Sequence, residues 1–144
     1  MSSFLGIDIG GSSIKFALTT SDGLIDDTFK TVTHSGVDVI DVITRTATET
    51  INGSADPVTA IGVGSPGYLN LEQTEVIYAA NLDWRDFPLV EHISTATGLP
   101  VFLDGDANLA ALAEAHTGAA KGSTSSLFIA LGTGIGVAQV VNGT

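Results

Sequence analysis

Two apolar runs, each broken by a glycine turn and then resumed, constrain this chain more than any other feature. Residues 5–18 read LGIDIGGSSIKFAL, and residues 127–141 read LFIALGTGIGVAQVV. Glycine lets the backbone reverse tightly, so each run predicts two antiparallel strands joined by a short turn. One such hairpin near the start and another at the end demand a fold in which both can sit against other layers.

The segments between the hairpins supply those layers. Residues 4–10, 13–20 and 24–32 read as a three-stranded antiparallel meander, with Ser21-Asp22-Gly23 as its second turn. From 37 to 51, Val39, Ile40, Ile43, Ala47 and Ile51 recur at helical spacing, and Asn52-Gly53 supplies a left-handed stop. Residues 58–64 form a buried strand ended by Ser65-Pro66-Gly67, and residues 74–79 form another. Asn81-Leu82-Asp83-Trp84 reads as a loop, with Trp84 a core residue. Pro88 opens a helix that runs to Thr97 and stops at Gly98. Residues 101–103 are a strand, and Asp106 begins a helix with Leu109, Leu112 and Ala113 on its inner face. Residues 118–124 are a linker. A meander followed by alternating helix and strand is an α/β plan with a mixed sheet.

Composition then narrows the function. The 144 residues suit one ordinary domain, and 44% hydrophobic residues with a mean hydropathy of +0.36 exclude a disordered chain. No apolar run reaches the roughly 18–20 residues of a membrane span. The N-terminus lacks a basic segment, so no signal peptide is expected. Cysteine is absent, which removes disulfides and thiolate metal sites and favours the cytoplasm. Five Lys+Arg against sixteen Asp+Glu give a net charge of −11, with the basic residues scattered. Nucleic-acid binding needs clustered cations to neutralise phosphates, so it is excluded, and a long polyanion is disfavoured as substrate. A phosphate handled by this chain must meet backbone N–H groups and a divalent cation.

Several residues have the chemistry for such a task. Adjacent Gly10 and Gly11 leave room for a phosphate at the main chain, Asp8 can orient a Mg²⁺ ion, Ser12 offers a hydroxyl, and Lys15 is a nearby cation. A plain hairpin turn is the alternative for this segment. Gly132-Thr133-Gly134 in the second turn changes the balance, because two such turns can grip one polyphosphate from opposite sides. Neither turn opens a helix, so Rossmann and P-loop readings fail. Asp106, at a strand end and helix start, can take the proton of a substrate hydroxyl that attacks a phosphoryl group, or can cap the helix; Asp104 is a rival for either role. Ser65, Gly67 and Asn81 lie in loops whose hydroxyl, backbone and amide groups suit a polyol. His34, His92 and His116 show no ligand spacing and read as structural.

Five ordered blocks, GIDIGGSSIK, GVGSPG, NLDW, GDANLAALAE and LGTGIGVAQVVNG, together resemble the ROK family (repressor, open reading frame, kinase), specifically its bacterial glucokinase-like sugar kinases. The resemblance implies an actin-like, ribonuclease H-like lobe and transfer of phosphoryl from ATP with Mg²⁺ to the 6-hydroxyl of a hexose. It implies that Asp8, Gly10, Gly11, Ser12 and Lys15 form the first phosphate loop, and Thr133 and Gly134 part of the second. Asp106 falls on the base, Ser65, Gly67 and Asn81 on sugar-site segments, and Glu114 on an acid that supports the site.

Two departures stand out. Gly105 occupies the place of an asparagine that binds sugar hydroxyls in the family, a loss of about 1–3 kcal/mol unless another group substitutes. The family's chains are also about twice as long. Residues 1–120 are thus expected to be an N-terminal kinase lobe, and 121–144 a linker with the first hairpin of a truncated second lobe. That hairpin is expected to pair with another copy, making a homo-oligomer, or to be loosely held. The alternatives are a sugar-sensing module of the ROK repressor type and an inactive fragment.

Overall fold

The computed structural model describes residues 2–20, 25–32, 38–132 and 134–144, with the strand at 25–32 described by its backbone. It opens with β1 (Ser3–Ile9), β2 (Ser13–Thr20) and β3 (Ile25–Val32). β1 and β2 are antiparallel, Leu5 opposite Leu18 and Ile9 opposite Ile14, and β3 joins β2 in the same sense. The turn expected at 21–23 and His34 lie outside the described residues. Strand alternation sorts the side chains: Leu5, Ile7 and Ile9 are buried on one face, while Phe4 and Asp8 stand exposed on the other.

α1 (Val39–Gly53) starts at Asp38, whose Oδ1 accepts the Ile40 amide at 3.2 Å and satisfies an otherwise free N–H of the first turn. The expected left-handed stop at Asn52-Gly53 does not form. The helix continues through Gly53 and ends at Ser54 in extended backbone, with the Ser54 amide on the Ile51 carbonyl at 3.3 Å. The Ser54 hydroxyl donates to the Asp56 carbonyl at 2.7 Å, so the chain turns without a left-handed residue.

β4 (Val58–Ser65) runs parallel to β1, and β8 (Val101–Gly105) runs parallel to β4. The main sheet therefore has the order β3-β2-β1-β4-β8 and is mixed. Between its last two strands the chain makes a small antiparallel sheet of β5 (Tyr68–Leu69), β6 (Val76–Ala79) and β7 (Trp84–Phe87), with a 3₁₀ turn at Ala80–Leu82. β7 corrects the loop reading at Trp84, and β5 is a strand that the sequence reading left unassigned. Trp84 is buried and stacks on Phe87 at 4.4 Å between ring centroids, and Phe87 stacks on His92 at 4.9 Å.

α2 (Leu89–Thr97) follows Pro88 and ends at Gly98, whose φ of 71° lets its amide reach the Ser94 carbonyl at 2.8 Å. Ile43 and Ala47 of α1 and Leu89 and Ile93 of α2 meet Ile9, Ile14, Phe16, Ile61 and Val63 in one core. Each large side chain there contributes about 1.5–3 kcal/mol by leaving water.

α3 (Asp106–His116) packs against β4 and β8 and also against a separate two-stranded sheet, β9 (Ser125–Leu131) and β10 (Ile135–Val141). Its inner face differs from the expected one. Ala111 is buried against Ala138 and Val140, Leu109 and Leu112 are half-buried, and Ala113 is exposed. The terminal hairpin is thus seated on α3 by one face. Its other face carries exposed Leu127, Ile129, Leu131, Ile135 and Val137. Taken whole, this is an α/β fold with a mixed sheet whose first strands form an antiparallel meander, the expected class.

Candidate active site

The site begins with a register pair. Asp8 on β1 lies beside Gly64 on β4, and both project from the face opposite the buried Ile7 and Val63. A Cβ at Gly64 would stand 3.4 Å from Leu109 Cδ1, 3.6 Å from Asp106 Cα and 3.9 Å from Asp8 Oδ1. These are ordinary van der Waals distances, and they show that the start of α3 lies close beside Gly64 and Asp8.

Asp8 Oδ2 takes a hydrogen bond from Lys15 Nζ at 3.3 Å, the two being direct partners across the β1–β2 hairpin. Asp8 Oδ1 has no hydrogen-bond partner among the described residues. The bend between the strands closes through the Gly10 amide on the Ser13 carbonyl at 2.8 Å. A Cβ at Gly10 would lie 2.7 Å from that same oxygen, so only glycine fits. The next residue faces a different neighbour: a Cβ at Gly11 would lie 3.0 Å from Asn81 Nδ2. The first glycine bend and the 3₁₀ turn bearing Asn81 are in contact.

Asp8, Gly11, Gly67, Asn81 and Asp106 line one wall of a cleft of about 480 Å³, and Gly132 and Gly134 line the other. A second cavity of about 530 Å³ adjoins it, sharing Gly67, Asn81 and Asp106 and adding Tyr68, Tyr78, Gly105 and Asn108. Asp106 stands at the border of both. Its Oδ1 accepts the Ala107 amide at 2.7 Å, and its other oxygen has no partner among the described residues. The helix N-cap is Gly105, not Asp106, and it makes no side-chain capping bond. Asp104 Oδ1 instead accepts the Gly105 amide at 2.7 Å and Asn108 Nδ2 at 2.9 Å. An exposed carboxylate with a spare oxygen between two cavities can take up a proton.

Some expected residues stand elsewhere. Ser65 is buried, with its hydroxyl donating to the Pro66 carbonyl at 3.1 Å. Two-residue alternation explains this, because Ser65 shares the core face of β4 with Ile61 and Val63. Gly10, Ser12 and Lys15 shape or flank the first bend without lining the cleft, and Thr133 lies outside the described residues. Glu114 accepts the Ala119 amide at 2.7 Å and so fixes the turn after α3. His116 is exposed in the last turn of α3. Tyr68, Tyr78 and Asn108 were missed: Tyr68 sits on a strand of two residues, Tyr78 lies on a strand that was read without a site role, and Asn108 gave no signal apart from its place two residues after Asp106.

Among the described residues, no group of three or more His, Asp or Glu is placed to hold a metal ion. A single carboxylate is compatible with Mg²⁺, which is commonly held by one or two carboxylates plus phosphate oxygens and water. Asp8, with one oxygen on Lys15 and the other open, fits that requirement. No helix among the described residues is long and apolar enough to cross a membrane.

Comparison with known proteins gives this geometry a context. A glucokinase from Halalkalibacterium halodurans is 37% identical over 97% of this chain and 44% of its own length. A xylose repressor from Bacillus subtilis is 28% identical over 96% of this chain and 37% of its own length. The crystal structure of a ROK family glucokinase from Streptomyces griseus, in complex with glucose and AMPPNP, superposes with a TM-score of 0.90 at 34% identity. It covers 99% of this chain and 45% of that chain. The chain therefore spans less than half the length of the curated relatives it matches. The ROK family's sequence profile matches residues 4–144, so glycine bends, cleft and Asp106 all lie within the match, and the chain belongs to the ROK family.

Proposed function

We propose that residues 1–120 are the N-terminal lobe of an ATP-dependent hexose kinase of the glucokinase type, and that 121–144 carry the linker and first hairpin of a second lobe. The observation that carries this reading is the shared cleft: Asp8, Gly11, Asp106 and Gly134 line one space although 126 positions separate the first from the last (134 − 8). The glucose and AMPPNP in the Streptomyces griseus structure support the substrate class. The site would work in the cytoplasm.

In this reading Asp106 accepts the proton of a sugar hydroxyl through the oxygen that Ala107 leaves free. The sugar oxygen attacks the terminal phosphorus of ATP, a new O–P bond forms, and the bond to the ADP oxygen breaks with its electron pair going to ADP. Gly11 and Gly134 let the phosphate chain approach backbone N–H groups from both sides, with Gly10, Ser12, Lys15 and Thr133 completing the two loops. Asp8 would hold Mg²⁺, which when bound neutralises charge on the transferred phosphoryl group. Gly67, Asn81 and Gly105 border the sugar.

Replacing Asp106 with Asn in the native polypeptide that contains this chain tests the assignment. Turnover falls by at least about 10²-fold, within the usual range for a general base, while calorimetry shows hexose binding within a few-fold of wild type. Near-normal turnover would remove Asp106 from the role. A regulatory reading draws on the xylose repressor relative. Titration of glucose and of Mg·ATP separates the two, since a sensor binds sugar and leaves nucleotide unbound.

A further inference from the structure

Gly105 leaves the floor of the second cavity without a side chain, and the space is not empty. A Cβ at Gly105 would lie 3.5 Å from Asn108 Nδ2 and 3.8 Å from its Cγ, so the Asn108 amide stands where a side chain from 105 would extend. Asn108 lines that cavity beside Asp106 and Gly105, and it is exposed to it. Its orientation is fixed from behind. Asp104 Oδ1 accepts Asn108 Nδ2 at 2.9 Å, and a carboxylate oxygen can only face the N–H side of the amide. The same oxygen is itself anchored by the Gly105 amide at 2.7 Å. Asn108 Oδ1 and its second N–H then remain for a ligand, with no partner among the described residues.

We infer that Asn108 is a sugar-binding residue that determines acceptor specificity, and that Asp104 is the positioning residue that aims its amide. An amide with one N–H committed offers one acceptor and one donor to the cavity that Asp106 also lines, which matches two neighbouring hydroxyls of a hexose and not an apolar or anionic group. The inference rests on the sugar-kinase reading and adds to it the residues that recognise the acceptor next to Asp106.

The test uses the native polypeptide containing this chain, with glucose and its monodeoxy series. Asn108→Leu keeps the size of the side chain and removes both polar atoms. It raises KM for glucose about tenfold, the value of one or two neutral hydrogen bonds, and leaves KM for ATP unchanged. One or two deoxyglucoses that bind wild type poorly lose nothing further in the variant. Asp104 separates aiming from bulk stability. Both of its bonds end on a single oxygen, so Asp104→Asn keeps them through the amide oxygen and stays near wild type, while Asp104→Ala reproduces the KM defect. Thermal midpoints within about 3 °C of wild type, which bound any stability change at roughly 1 kcal/mol, confirm that each variant is folded.

An unchanged glucose KM in Asn108→Leu overturns the inference and leaves the kinase reading standing. A defect spread equally over every deoxy analogue, or an Asp104→Asn variant as poor as Asp104→Ala, also overturns it. A wild-type protein that binds no hexose removes both readings together.

Discussion

At the scale of single residues, the cleft depends on atoms that are missing. Gly67 has a φ of +94°, and a Cβ there would run into the Tyr78 carbonyl of the neighbouring strand. Gly67→Ala meets both penalties, and we expect a loss of about 2 kcal/mol or more, read as a lower urea midpoint with unchanged slope. Stability within 0.5 kcal/mol of wild type, about the scatter of a surface change, would show that the loop relaxes freely. The GVGSPG block made a sharp turn legible in the sequence. Which of its members face the cleft was not, because Ser65 sits one register position away from Gly64 and therefore turns to the core. Asn108 was hidden for a related reason. Its partner Asp104 lies in strand β8, so the helical four-residue spacing that links such pairs could not be assumed across the boundary.

At the scale of elements, the strands and their glycine ends were readable because apolar alternation and turn residues agreed. Helix α3 was harder. A helix with one buried stripe shows its inner face in the spacing of large residues, but α3 touches the main sheet on one side and the hairpin on another. Its sequence DANLAALAEAH is accordingly apolar around much of its circumference, and the buried Ala111 could not be told from the exposed Ala113. Two strands of the small sheet escaped too, β5 with 2 residues and β7 with 4, whereas β6 was read within the longer stretch 74–79. The contact between α3 and the hairpin is close. A Cβ at Gly136 would stand 3.1 Å from the Ala107 Cβ and 3.5 Å from that of Ala130. Gly136→Val overfills this seam, and we expect a cost of about 1–3 kcal/mol with weakened nucleotide binding. An undiminished melting temperature and unchanged calorimetric affinity for Mg·ATP would refute that expectation.

At the scale of the whole molecule, charge and apolar surface are segregated. All 16 acidic and 5 basic residues precede position 122, and the outer face of the hairpin exposes Leu131 at 79%, Ile135 at 75% and Leu127 at 63%. A net charge of −11 keeps copies apart at low ionic strength, and salt screens that repulsion over distances of roughly 8–10 Å. The chain on its own should therefore bind an apolar dye and associate more strongly as salt is raised. The double variant Ile129→Lys with Val137→Lys should lose most of both effects, as followed by dye fluorescence and sedimentation velocity; salt-independent monomers from the unmodified chain would contradict this. The same segregation bears on the cleft. One wall is fastened to the five-stranded sheet and the other to the hairpin, and α3 is wedged against both. The aperture of the cleft is consequently set by how that helix is tilted, so in the proposed kinase a substitution along its alanine-lined seam would retune turnover without touching any group that meets the reactants.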